Sequence, residues 1–157
     1  MKFSTREDVE VPIDVVFQAL SDFDGFEKRA LRRGADVERT DKLSTPGVGM
    51  AWKVGFKFRG RERTLLPKVT KFDPPNEMEV TSISGGMEVV MSVELVELSP
   101  ARTRMSVGLE TKPNTLSARL LVQSMKLAKA NLTKRFKVAV ADYAETIERD
   151  HRGVVVG

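Results

Sequence analysis

Residues 114–151 read NTLSARLLVQSMKLAKANLTKRFKVAVADYAETIERDH, a run with neither proline nor glycine. The run predicts one helix roughly 55 Å long at 1.5 Å per residue. Asn114 is its expected N-cap and Gly153 its expected stop. Ala118, Leu121, Met125, Ala128, Leu132, Phe136, Val140, Tyr143 and Ile147 recur every three or four residues, which makes one apolar stripe. A second apolar row, Leu116, Leu120 and Leu127, lies on another side of the first half alone. A helix of this length needs a large apolar surface to receive its stripe.

Upstream of Pro113 the chain is a succession of strand signals. Thr103, Met105, Val107 and Leu109 alternate with polar or small residues, and residues 87–98 are apolar on both faces. Gly85-Gly86 and Asp73-Pro74-Pro75-Asn76 are breaks on either side of a strand at 78–84. Trp52, Val54, Phe56 and Phe58 alternate with Lys53, Gly55, Lys57 and Arg59, a half-buried strand pattern. Residues 36–43 form the strand before it, and Ser44-Thr45-Pro46-Gly47 turns the chain. At the start, residues 2–11 read as a strand that Pro12 ends. Ile13, Val16, Phe17 and Leu20 share one helical face, and 26–33 is a second short helix with Asp22 as cap and Gly34 as stop.

One long helix cannot coat a flat sheet of that size, but a curved sheet can wrap around it. The expected fold is therefore α+β: a curved antiparallel sheet of six to seven strands around one long C-terminal helix, with two short helices after the first strand. A curved sheet and a straight rod leave space between them, which suits a cavity. A chain of 157 residues, 41% apolar and 31% charged, fits one globular domain over 1–157.

Composition narrows the chemistry. There is no cysteine, which excludes disulfides, a thiol nucleophile and thiolate zinc sites. His151 is the single histidine, so a histidine metal cluster cannot form within one chain. No apolar run is long enough to span a bilayer and the N-terminus lacks an apolar signal core, so the expected location is the cytoplasm. No carboxylate pair, phosphate loop or metal motif stands out, and neither cofactor nor catalysis is expected. Charge is uneven: 53–71 holds seven basic residues against one acid, and 119–137 holds six against none. Such segments solvate exposed faces or attract anionic partners.

Several motifs resemble the START-like, helix-grip superfamily, also called SRPBCC, of polyketide cyclases and lipid-transport proteins. Val11-Pro12-Ile13-Asp14-Val15-Val16-Phe17 with Leu20-Ser21-Asp22-Phe23 is similar to its opening segment. Gly47-Val48-Gly49-Met50-Ala51-Trp52 resembles the approach to its third strand, and Val69-Thr70-Lys71-Phe72-Asp73-Pro74-Pro75 followed by Met78 resembles its mid-sheet break. The resemblance covers nearly the whole chain. It implies the fold expected above, and a function somewhere among cyclases, lipid and hormone carriers and quinone chaperones.

The candidate ligand-binding residues are Trp52, Val54, Phe56, Val80, Met105 and Val107 on the concave sheet face, Leu121, Met125 and Tyr143 on the helix stripe, and the polar Thr64 and Ser82. A filled core accounts for the apolar members as well as a cavity does. For Tyr143 a core tyrosine bonded to a backbone carbonyl is the expected reading, ahead of a ligand contact. The hairpin at Gly60 admits two registers. A two-residue loop pairs Phe58 with Arg61 and Phe56 with Arg63, which turns both arginines inward. A three-residue loop turns Thr64 and Leu66 inward and the arginines to water; it is the expected register, because isolated buried charges are rare.

The leading expectation is binding or carriage of a small hydrophobic or amphipathic molecule without catalysis. The alternative is a cyclase- or dehydratase-like enzyme on such a ligand, using Tyr143, the serines and Arg63. A second alternative is an interaction module that meets an anionic partner through its basic segments. Aromatics are only 6% and committed to the core, which counts against nucleic acid. The row Leu116, Leu120 and Leu127 needs a cover. The short helices near Phe23 and Phe26 are the expected one; a second copy of the chain or an anionic membrane surface are the others.

Overall fold

The computed structural model describes residues 1–156, with side chains over 1–153. The chain runs β1 (Lys2–Val9), α1 (Ile13–Leu20), α2 (Phe23–Arg32), β2 (Asp36–Arg39), β3 (Trp52–Phe58), β4 (Arg61–Asp73), β5 (Glu77–Ser84), β6 (Met87–Ser99), β7 (Arg102–Pro113), α3 (Leu116–Leu127) and α4 (Lys129–Val156). The seven strands form one curved antiparallel sheet in the order β1-β7-β6-β5-β4-β3-β2. This is the α+β helix-grip arrangement expected from the sequence. Because β1 and β2 lie at opposite edges, α1 and α2 must carry the chain from one edge to the other. On that path α1 packs against β6, β7 and α4, and α2 packs against β2. Irregularities in β4 at Val69/Lys71 and in β6 at Glu97/Ser99 add local bend.

The main core lies between the concave face and α1, α2 and α4. Val9, Val16, Val69 and Met105 are fully buried there, with Trp52, Val140 and Ile147 nearly so. Thr103, also fully buried, donates its hydroxyl proton to the Val11 carbonyl at 2.8 Å, so its polar group is not left without a partner. A smaller, separate cluster joins Met87, Ala118 and Val122, with Met1 and Val89 beside it.

The long helix is interrupted. Ala128, at φ −107° and ψ 17°, caps α3, and α4 begins at the next residue. No proline or glycine causes the break. It falls between the residues that dock α3 on the Met87 cluster and those that dock α4 on the main core. The cap of α3 is Thr115, not Asn114: its hydroxyl accepts from the Ala118 amide at 3.2 Å. The Asn114 amide instead donates to the Gly86 carbonyl at 2.8 Å, which fastens the start of α3 to the β5–β6 turn.

β2 ends at Arg39, earlier than the expected 43. Beyond it the chain is held by Asp41. The carboxylate of Asp41 receives both Nε and Nη2 of Arg39, at 2.7 and 2.6 Å, and the amides of Leu43 and Ala51, at 2.9 and 2.8 Å. Local hydrogen bonding of an aspartate to nearby amides competes with strand pairing, so the strand stops and a loop begins.

Candidate ligand site

The turn between β3 and β4 decides which side chains meet in the site. Arg59 and Gly60 have φ of +53° and +75°. Positive φ at both central residues is the signature of a two-residue turn whose twist matches the flanking strands. Phe58 therefore pairs with Arg61, Phe56 with Arg63 and Val54 with Leu65. Opposed residues share a face, so Arg63 stands beside Phe56 on the concave side. The three-residue register is not the one adopted. Leu66 pairs with Ile83 on the convex face, and both are about half exposed. Thr64 stands opposite Gly55, on the face away from Phe56, and still borders the site.

An inward arginine is costly only where the cavity is closed to water. The site is an open cleft of about 1320 Å³, and Arg63 is solvent-exposed within it. Val54 and Phe56 supply the sheet wall. Phe26, Arg29 and Arg33 come from α2 and the residue that caps it, spaced so that they share one helical side. Tyr143, Ile147 and Asp150 come from the second half of the C-terminal helix.

Of the residues proposed from sequence, Val54, Phe56, Thr64 and Tyr143 border this cleft. Trp52, Met105 and Val107 are buried core residues, and Val80 packs partly against that core. Ser82 stands opposite Pro67 in the middle of the sheet, outside the cleft lining. Leu121 and Met125 do not reach the cleft, and Leu121 is exposed to solvent. The cleft lies against the second half of the helix, because α3 docks at the Met87 end of the sheet. Phe26, Arg29 and Arg33 were not among the candidate site residues, and Ile147 was placed on the helix stripe but not in the site. The i, i+3, i+7 spacing of the first three was the available signal, but nothing local told which way α2 would face.

The cleft carries mixed charge. Arg29, Arg33, Lys57 and Arg63 line it together with Asp22, Asp36, Glu62 and Asp150. Asp22 is committed to capping α2, accepting from the Gly25 amide at 3.1 Å. None of the four cations lies within 4 Å of a carboxylate among the described residues. The Arg29 guanidinium sits 4.6 Å over the Phe26 ring, whose other neighbour is Tyr143 at 6.5 Å between centroids.

Burial pushes the Tyr143 phenol up to about 12; the charges of Asp22 and Asp150 add to this and Arg29 opposes it. The side chain is therefore a neutral phenol at physiological pH, able to donate a hydrogen bond. No side-chain hydrogen bond joins its hydroxyl to another described residue, so the expected tie to a backbone carbonyl is not made, and the hydroxyl is not sealed from solvent. An apolar slot next to an unshared phenol and unpaired guanidiniums fits a molecule with an apolar body and an oxygen-bearing end.

Solved structures share this architecture. The Zhui aromatase/cyclase from a Streptomyces species aligns with a TM-score of 0.62 at 13% identity, over 92% of this chain and 93% of that one. A START superfamily protein from Mycobacterium smegmatis aligns with a TM-score of 0.55 at 11% identity, over 85% of this chain and 95% of that one.

The chain has the START-like helix-grip fold.

A protein from Thermus thermophilus aligns with this START-like chain at a TM-score of 0.64 and 14% identity, over 94% of this chain and 97% of that one. No family model matches the chain, and no curated protein matches it by sequence. At these identities the likeness shows the fold; the chemistry has to be read from the cleft.

Proposed function

We propose that this START-like chain binds and carries a small amphipathic molecule in the cleft between α2, the β3–β4 hairpin and the second half of the C-terminal helix. The observation that carries the reading is the pairing of Phe26, Val54, Phe56 and Ile147 with the unshared Tyr143 hydroxyl and the unpaired Arg29 and Arg63. The apolar group supplies burial, at about 25 cal/mol per Å² removed from water. The phenol and guanidiniums orient an acceptor oxygen. Carriage is favoured over catalysis because the phenol nearest the apolar wall holds its proton far above neutral pH. Acid–base work needs a group that exchanges its proton near the working pH.

A cyclase-like enzyme is the second reading, favoured by the name of the Streptomyces neighbour and by Arg63 standing on the concave face. In that case Tyr143 would donate to a developing oxyanion.

Titration with anilinonaphthalene sulfonate, an apolar anion with environment-sensitive emission, tests the site. Saturable binding is expected, weakened by about tenfold or more in Phe56→Glu and in Arg63→Glu. Binding that neither variant changes would reject the cleft as the site. Native mass spectrometry of protein purified from its own host would then identify any molecule it carries.

A further inference from the structure

The short helix α3 turns all four of its leucines to solvent. Leu116, Leu120, Leu121 and Leu127 are 73%, 63%, 54% and 92% exposed. At 3.6 residues per turn, Leu116, Leu120 and Leu127 fall within about 40° of one another, on the side opposite the buried Ala118 and Val122. This is the second apolar row seen in the sequence. The short helices do not cover it: Phe23 packs on Trp52 and Phe72, and Phe26 packs on Tyr143. Contiguous exposed apolar rows mark contact surfaces.

Charge identifies the contact. Arg119 and Lys126 run along one flank of the row, seven residues apart, and Lys129 follows at the start of α4; all three are exposed. Between Glu110 and Asp142 the sequence has no acidic residue and seven basic ones. A second copy seated antiparallel on this face by two-fold symmetry would bring the Arg119 and Lys126 flank against its own counterpart. An anionic lipid surface satisfies both features, since leucines enter the acyl boundary while basic side chains reach the headgroups. No helix among the described residues is long and apolar enough to cross a membrane, so the contact is one of lying on the surface.

We infer that α3 docks this protein on anionic membranes, with Leu116, Leu120 and Leu127 inserted and Arg119, Lys126 and Lys129 meeting lipid phosphates or carboxylates. The inference rests on α3 and the first residue of α4 and is independent of what the cleft holds.

Flotation with vesicles tests it. The whole chain should float with vesicles of phosphatidylcholine and phosphatidylserine, and not with phosphatidylcholine alone. Added salt should weaken the binding. Leu120→Ser with Leu127→Ser should lower partitioning by about tenfold or more, and Arg119→Glu with Lys126→Glu by about fivefold per charge. All four side chains are exposed, so melting temperatures should hold; the charge pair also serves as an independent variant should the leucine pair fail to fold. Three results would overturn the inference: no flotation with the anionic vesicles at low salt, flotation that survives in both folded variants, or dimerisation of the wild type that the leucine variant abolishes.

Discussion

The indole N–H of Trp52 donates to Oε1 of Glu27 at 2.7 Å, tying β3 to α2. Trp52 is 7% exposed, and Phe23 and the Arg39 guanidinium sit against its ring at 5.3 and 5.7 Å. The bond holds the helix whose Phe26 and Arg29 wall the cleft. Replacing Glu27 with Ala leaves a largely buried donor without its partner. A loss of about 1–3 kcal/mol is expected in urea unfolding, with a shift in Trp52 emission. Because Trp52 is the only tryptophan, that emission reports this site directly. Unchanged emission and stability would show that the bond holds nothing in place.

Asp41 makes stability depend on acid pH. Its bond to Arg39, then the Ala51 and Leu43 amides, hold its carboxyl well below the ordinary value of 3.8 against the opposing effect of burial. A depressed carboxyl binds its proton less readily in the folded state. Its stabilisation is therefore full above 3.8 and fades as pH falls through the lowered folded value. Asp41→Asn should unfold at lower urea than wild type at neutral pH, and the gap should narrow in strong acid. A gap that stays constant over that range would mean the loop is held by packing instead.

Gly85 and Gly86 both have positive φ, at 53° and 77°, but only Gly86 is crowded. A Cβ at Gly86 would lie 2.5 Å from the Thr115 side chain, whereas one at Gly85 would meet nothing within 4 Å. Gly85→Ala should lose only the backbone preference, about 1 kcal/mol. Gly86→Ala should lose more and disturb the cap of α3. Equal losses in the two variants, measured by urea unfolding, would show that Thr115 does not constrain this turn.

Tyr143 is the only tyrosine, so ultraviolet titration reads it alone. Phenolate absorbance should rise near 12 in the folded protein rather than at the ordinary 10.0. Here the folded state keeps its proton longer, so the associated stability is present below 10.0 and is lost as pH rises towards 12. Tyr143→Phe should abolish the titration. If the phenol ionises at its ordinary value, it is solvated and cannot be the desolvated donor that the cleft requires.

The elements themselves were legible because their signals are local. Alternation in Trp52, Val54, Phe56 and Phe58 fixes a strand whatever its neighbours are, and the apolar stripe in a run free of proline and glycine from Asn114 to His151 marks helix. From these the helix-grip fold followed, since a long stripe has to be received by a wrapped sheet. The site was legible only in part. Val54, Phe56 and Tyr143 were found from the faces they occupy. Trp52 and Met105 share those faces but lie deeper, because depth depends on what packs above them.

What the sequence by itself determined about this protein was its element order, its antiparallel sheet and its uncommitted row of leucines, all consequences of periodicity and of turn residues. Tertiary structure alone decided the register at Arg59-Gly60, the break at Ala128 and the direction in which α2 faces. Each of those turns on energies of only a few kcal/mol between locally acceptable alternatives. Residues distant in sequence make the choice: Glu27 holding Trp52, Thr115 against Gly86, and the Met87 cluster drawing α3 away from the cleft.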